Sequence, residues 1–179
     1  TLIFTLTAVL IVPFVQVYTH GVSDANYIQP LFGILLVAAN SGHCLRLPYN
    51  IMILAAGHYK QTQHNYVIAA VMNIAISIIA VKQFGLIGVT LGTLAAMVYQ
   101  TVWMAWYNSK NFIQWPMHNF FKQMAVNAVS VVLIFIVTGY FTMTGVSYLG
   151  WVVLAIKATA CGVFVVFLIN YTFYKEFVL

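Results

Sequence analysis

Residues 65–107 read NYVIAAVMNIAISIIAVKQFGLIGVTLGTLAAMVYQTVWMAWY, and this stretch decides the fold. It carries a single charge, Lys82, and a single break, KQFG. The apolar run on each side of that break is close to the ~20 residues a helix needs to cross ~30 Å of hydrocarbon at ~1.5 Å per residue. Two membrane spans joined by a tight turn follow. In the second of them Gly88 and Gly92 form a small-xxx-small face, which suits close packing against another helix.

The same pattern continues in both directions. Apolar segments at about 1–18, 28–56, 65–84, 86–107, 121–142 and 149–174 are separated by THGVSDANY, GHYKQTQHN, KQFG, NSKNFIQWPMHN and MTGVSY. Six spans account for the chain with almost nothing to spare, so no soluble domain is inserted. Composition agrees. Of 179 residues, 63% are hydrophobic and 5% charged, against ~25% charged in soluble domains, and the mean hydropathy is +0.96. The expected fold is an all-α membrane protein, a six-transmembrane-helix bundle forming a single lobe over residues 1–179. The opening stretch TLIFTLTAVLIVPFVQVY starts at Thr1, without a basic n-region or a small-residue cleavage site. It therefore reads as a span and not as a signal peptide, and the chain reads as part of a longer protein.

The net charge of +5 does not point to nucleic acid, because the basic residues are scattered singly from Arg46 to Lys175 and form no stripe. Their placement does indicate orientation. Lys60, Lys110, Lys122 and Lys175 lie at one set of span ends and Lys82 alone at the other, so the excess rule for Lys and Arg puts both termini of the segment in the cytoplasm. Tyr18, Tyr27, Tyr59, Tyr66, Trp103, Trp106, Trp115 and Trp151 fall near span ends, as aromatic belts do.

Within the second segment, YIQPLFGILLVAANSGHCLRLPYNIMILAAG, a polar stretch from Asn40 to Arg46 and an internal Pro48 separate two apolar halves. Pro48 removes a backbone hydrogen bond and disfavours helical geometry at Leu47, so a kink or break lining a cavity is expected there. Arg46 stands out. A charge near a span centre costs ~2.5–3.5 kcal/mol on insertion scales and calls for a partner or a cavity. The acidic residues are Asp24, in the first connection, and Glu176, at the end, so no intramembrane carboxylate is at hand. At ~100° per residue Asn40, His43, Arg46 and Asn50 share one stripe. Arg46 then either serves the backbone around Pro48 or faces a ligand. Lys157, about eight residues inside the last span, either snorkels to the nearer interface or faces a cavity. Asn73 with Ser77, Tyr99 with Gln100, and Asn127 with Ser130 suit interhelical hydrogen bonds or ligand contacts.

Catalytic constellations are missing from the sequence: it has no acidic pair, HExxH, Walker loop or GxSxG. His20 and Asp24 lack the spacing of an acyltransferase pair and sit in a turn-like connection. His43, His58 and His64 have no convergent metal partners, and Cys44 and Cys161, lying in apolar runs, have neither CxxC spacing nor a disulfide framework. The reading is of a protein that is no enzyme and needs no cofactor or metal.

Residues 46–93, RLPYNIMILAAGHYKQTQHNYVIAAVMNIAISIIAVKQFGLIGVTLGT, resemble the C-terminal half of bacterial polysaccharide flippases, the O-antigen and capsule repeat-unit exporters of the multidrug/oligosaccharidyl-lipid/polysaccharide (MATE-like) superfamily. The similarity rests on LRLPYN…AAGHYKQTQ, NIAIS and GLIGVTLGT, preceded by PFVQVYTHGVSDANY. It covers about the first 107 residues, while the last two spans match in hydrophobicity and length alone. The resemblance implies one lobe of a twelve-helix transporter of the bacterial inner membrane. Its partners would be an N-terminal six-span lobe, membrane lipids and a lipid-linked oligosaccharide, flipped by alternating access during polysaccharide biosynthesis. The diphosphate of an undecaprenyl-diphosphate sugar would pair with Arg46, whose planar fork of donors suits phosphate. Lys157 would add positive potential, and His43, Asn40, Asn50, Asn73, Gln100 and Asn127 complete the candidate substrate-binding set. Two alternatives remain open: a multidrug or cation antiporter of the same superfamily, and a membrane-embedded polysaccharide polymerase or acyltransferase. The first would favour buried carboxylates. The second would need a long extracytoplasmic loop with acid and base residues.

Overall fold

The computed structural model describes residues 1–24, 26–113, 116–143 and 145–173. Trp115, Lys175 and Glu176, which entered the reading of the sequence, lie outside the described residues. Six helices follow in order: α1 Leu2–Tyr18, α2 Pro30–Ala55, α3 Tyr59–Phe84, α4 Leu86–Asn108, α5 Met117–Thr138 and α6 Tyr148–Phe173, with a π-helical turn, Ser109–Ile113, extending α4. Helix is what this composition demands, because backbone N–H and C=O groups in hydrocarbon must be satisfied within the segment. Among the described residues all of the elements are helical. Five of the helices, α2 to α6, are long and apolar enough to cross a membrane. The sixth, α1, has 17 residues and rises about 25 Å. The chain is a multi-pass membrane protein.

The helices start and stop close to the apolar runs, with one systematic difference. α3 begins at Tyr59 and not near residue 65, taking the polar stretch YKQTQHN into its first two turns. Hydropathy marks the part of a helix immersed in hydrocarbon, whereas the hydrogen-bond ladder runs on into the polar layer. Thr62 extends it by donating its hydroxyl to His58 O at 3.0 Å.

The chain forms two compact units. One comprises residues 1–33 and those from Lys122 onward, the other Ile34–Phe121. In the first, α1 and α6 run antiparallel. Trp151 Nε1 donates to Leu10 O at 3.2 Å, and Leu2 and Leu6 lie over Gly162. The α6 residues Gly150, Leu154, Ala158 and Gly162, spaced by four, are buried in this contact.

The second unit is built on the α3–α4 hairpin. One residue, Gly85, ends α3 and starts α4, with φ +57° and ψ −132°, a conformation open to glycine and costly to residues with a Cβ. The returning helix then lies backbone to backbone on its partner. A Cβ on Gly88 would be driven into the main chain of Ala80 and Val81, and one on Gly92 would meet Asn73 O at 2.8 Å and Ser77 N at 2.9 Å. These two glycines serve packing. The opposite side of α3 is left uncovered, with Val67, Val71, Ile74, Ile78 and Ile79 each more than half exposed, a surface suited to acyl chains and not to water.

The second span, where a kink or break is expected, does not break. α2 is one continuous 26-residue helix with Pro48 inside it. The expectation treated that helix as isolated, but α4 supplies hydrogen bonds to its backbone on both sides of the proline. The Thr101 hydroxyl, 2.7 Å from Met97 O of its own helix, shares its proton with Gly42 O at 3.1 Å, and Asn108 Nδ2 donates to Tyr49 O at 3.1 Å. Neither bond goes to Cys44 O, the carbonyl left without its helical donor by Pro48; the two hold α2 against α4 on either side of the proline.

Candidate functional site: a polar seam around Arg46

Those two bonds also fix the register. Gly42 and Tyr49 are seven residues apart, as are Thr101 and Asn108, so α2 and α4 run parallel and meet along one stripe of each. Arg46 lies between the two contacts. Its residue surface is 8% exposed, which makes it the buried cation of the seam.

Its Nη2 lies 2.8 Å from His43 Nδ1, one turn back along the same helix. A guanidinium has donors and no acceptor, so Nδ1 accepts and the ring proton sits on Nε2. Arg46 thus points toward the N-terminal end of α2, as helical side chains lean. Its Nε is buried and has no hydrogen-bond partner. Among the described residues, the partner found for this charge is an uncharged ring nitrogen and not a carboxylate.

The structure brings some of the other expected residues to this seam and not others. Asn50, one turn beyond Arg46, accepts a short hydrogen bond from Tyr66 OH, tying α2 to α3. Gln100 is buried in the same unit, on α4. Asn40 is exposed and donates to Leu36 O of its own helix at 2.8 Å, so the stripe is chemically split. Asn73 belongs to the glycine contact, where its Oδ1 accepts from Ser77 Oγ at 3.2 Å and from Thr93 Oγ1 at 3.5 Å. Two residues lie in the other compact unit. Asn127 Oδ1 accepts from Thr1 Oγ1 at 2.7 Å, and Lys157 is exposed on α6. Asp24 accepts from Tyr27 OH at 3.0 Å. Among the described residues no three His, Cys, Asp or Glu side chains gather.

At the end of the hairpin away from Gly85, His58 Nδ1 lies 2.9 Å from Tyr107 OH. Trp103 stacks on Tyr107 with ring centres 5.1 Å apart, and Lys110 Nζ lies 5.3 Å from the Trp106 ring centre. Such a cluster of amphipathic rings and one ammonium suits the membrane–water boundary.

Thr62, Asn65, Thr101 and Asn108 were not singled out in the sequence, yet each is at least 95% buried in this unit. Two spacings signal them. Thr62 and Asn65 are three apart on α3, and Thr101 and Asn108 seven apart on α4, so each pair returns to one helix face. Compared with family models, curated proteins and solved structures, the chain matches none.

Proposed function

We propose that this chain is one lobe of a flippase moving undecaprenyl-diphosphate-linked oligosaccharide repeat units across the bacterial inner membrane. In this reading it works with a second six-span lobe, and both termini of the segment are cytoplasmic. The resemblance of residues 46–93 to polysaccharide flippases motivates the proposal. The observation that carries it is Arg46: a buried guanidinium with an unpaired Nε, neighboured by an imidazole and amide side chains. Burying a cation without a counter-charge is costly. A substrate that brings a diphosphate removes that cost on binding and gains charge-assisted, bidentate hydrogen bonds from the planar fork. Amide and phenol groups such as Asn50, Gln100 and Tyr66 suit the hydroxyls of the attached sugars.

The test is export. In a flippase-deficient strain complemented with the protein carrying this chain, surface polysaccharide is expected to fall from wild type to Arg46→Lys and further to Arg46→Ala. Lys keeps the charge and loses the fork. Membrane abundance of each variant is measured in parallel. Wild-type export by Arg46→Ala at normal abundance overturns the proposal.

A further inference from the structure

Buried side-chain nitrogen and oxygen atoms without a hydrogen-bond partner are rare in native folds. Among the described residues they are Arg46 Nε, both amide atoms of Asn65, and Asn108 Oδ1. These belong to three different helices of one compact unit, α2, α3 and α4. Asn65 is 2% exposed and Asn108 1%, so none of the three amide atoms is left to solvent.

The register sets them at neighbouring heights. Arg46 lies between the Gly42–Thr101 and Tyr49–Asn108 contacts. His58 faces Tyr107 and Asn73 faces Thr93 across the antiparallel hairpin, which sets Asn65 opposite the stretch Gln100–Thr101. The three residues therefore fall within about two helical turns, roughly 10 Å of height. Their directions converge as well. Helical side chains lean toward the N-terminus of their own helix. That tilts Asn65 toward the level of Asn108, and tilts Asn108 and Arg46 back toward the level of Asn65.

The donor and acceptor pattern defines the guest. Arg46 Nε and Asn65 Nδ2 offer N–H groups and the one positive charge, whereas Asn65 Oδ1 and Asn108 Oδ1 offer lone pairs. A cation is opposed by Arg46. A bare anion leaves two amide oxygens facing negative charge. A neutral sugar leaves the guanidinium without a counter-charge. A phosphate bearing sugar hydroxyls meets all of the requirements. We infer that Arg46, Asn65 and Asn108 form one binding site for a glycosyl phosphate group, with phosphate oxygens on Arg46 and the Asn65 amide nitrogen and sugar hydroxyls donating to the two amide oxygens. This deepens the flippase reading, on which the natural identity of the guest rests, by assigning hydroxyl recognition to two asparagines of α3 and α4. The Asn108 Nδ2 group keeps its structural bonds to Tyr49 O and Met104 O, and only its oxygen is assigned to the guest.

Arginine-selective ¹⁵N labelling of the protein carrying this chain, with Arg46→Lys identifying the signal by its loss, gives an Nε–H resonance that reports this site. The protein carrying this chain is held in dodecyldimethylamine oxide, a detergent with neither phosphate nor sugar, and titrated with glucose 1-phosphate, inorganic phosphate and methyl glucoside. The resonance is expected to titrate with glucose 1-phosphate, at least about tenfold more weakly with phosphate, and not with methyl glucoside. Asn65→Leu, close to an isosteric change, is expected to reduce glucose 1-phosphate binding to the level of phosphate. It is also expected to raise the melting temperature of the unliganded chain, because it removes a buried amide that has no partner.

The inference is overturned by no response to any probe, by equal response to glucose 1-phosphate and phosphate, or by unchanged binding in Asn65→Leu. It is overturned equally if Asn65→Leu melts lower or fails to fold, since the amide would then be holding the helices together. Its failure is separable from that of the flippase reading. Normal export by Arg46→Ala with the expected titrations removes the transport role and keeps the site. Lost export with unchanged Asn65→Leu binding does the reverse.

Discussion

α4 makes two contacts of opposite character. Toward α3 it presents Gly88 and Gly92, and the two main chains come together directly at Gly88 and with the Ser77 hydroxyl beside Gly92. Toward α2 it presents Thr101 and Asn108, whose polar side chains reach across to carbonyl oxygens. Both contacts lie in one helix, separated by the stretch from Thr93 to Gln100. The difference teaches how a membrane protein divides its labour. In lipid there is no hydrophobic drive to push helices together, so dispersion at close range holds the glycine contact and cannot be loosened by degrees. The polar contact consists of discrete bonds that can be exchanged for bonds to a guest, and two of the four buried, unpaired atoms, Arg46 Nε and Asn108 Oδ1, belong to the helices that form it.

The largest expected effect lies on the glycine side. Gly92→Leu inserts a side chain where the main-chain atoms of Asn73 and Ser77 leave no room, and a loss of about 3 kcal/mol is expected. Unfolding of the purified protein in mixed detergent and SDS measures it. A smaller effect belongs to the polar side. Thr101→Val keeps the shape and removes the hydroxyl bonded to Gly42 O, so the same assay should report about 0.6 kcal/mol, the usual value of an interhelical hydrogen bond in a membrane. Equal costs for the two variants would erase the distinction. The smallest effect is expected at Asn40, which bonds within its own helix. Asn40→Ala should leave export at the wild-type level and stability within about 0.5 kcal/mol, whereas reduced export would return Asn40 to the stripe of Arg46.

The sequence made the helices legible because membrane spans are written locally, in uninterrupted apolar runs whose length matches the bilayer. It made Gly88 and Gly92 legible for the same reason, since a four-residue spacing is a property of one helix. Arg46 was legible as an anomaly: one charge where none is cheap. What escaped was non-local. Pro48 reads as a break because the rule for proline concerns an isolated helix, and the groups that bond the backbone around it lie 59 residues further along, at Thr101 and Asn108. Asn65 escaped because a stripe drawn on α2 cannot include a residue from α3, and the register between helices is not a pattern in either. Asn40 shows a different limit. Helical spacing put it on the stripe, but its amide found a carbonyl one turn away.

The one-residue link at Gly85 bears on how the chain enters the membrane. α3 and α4 rise about 39 and 35 Å, and they return to the same side, where His58 meets Tyr107. Inserted singly, α3 would present Asn73 and Ser77 to acyl chains before Thr93 arrived to bond Asn73. Inserted as a preformed pair, it carries that bonding with it. In the proposed orientation, with both termini cytoplasmic, the charge drawn through hydrocarbon at the leading turn is the single ammonium of Lys82, a transient cost of about 2.5–3.5 kcal/mol on insertion scales. A tight hairpin of this kind favours entry of α3 and α4 as a pair over entry one at a time.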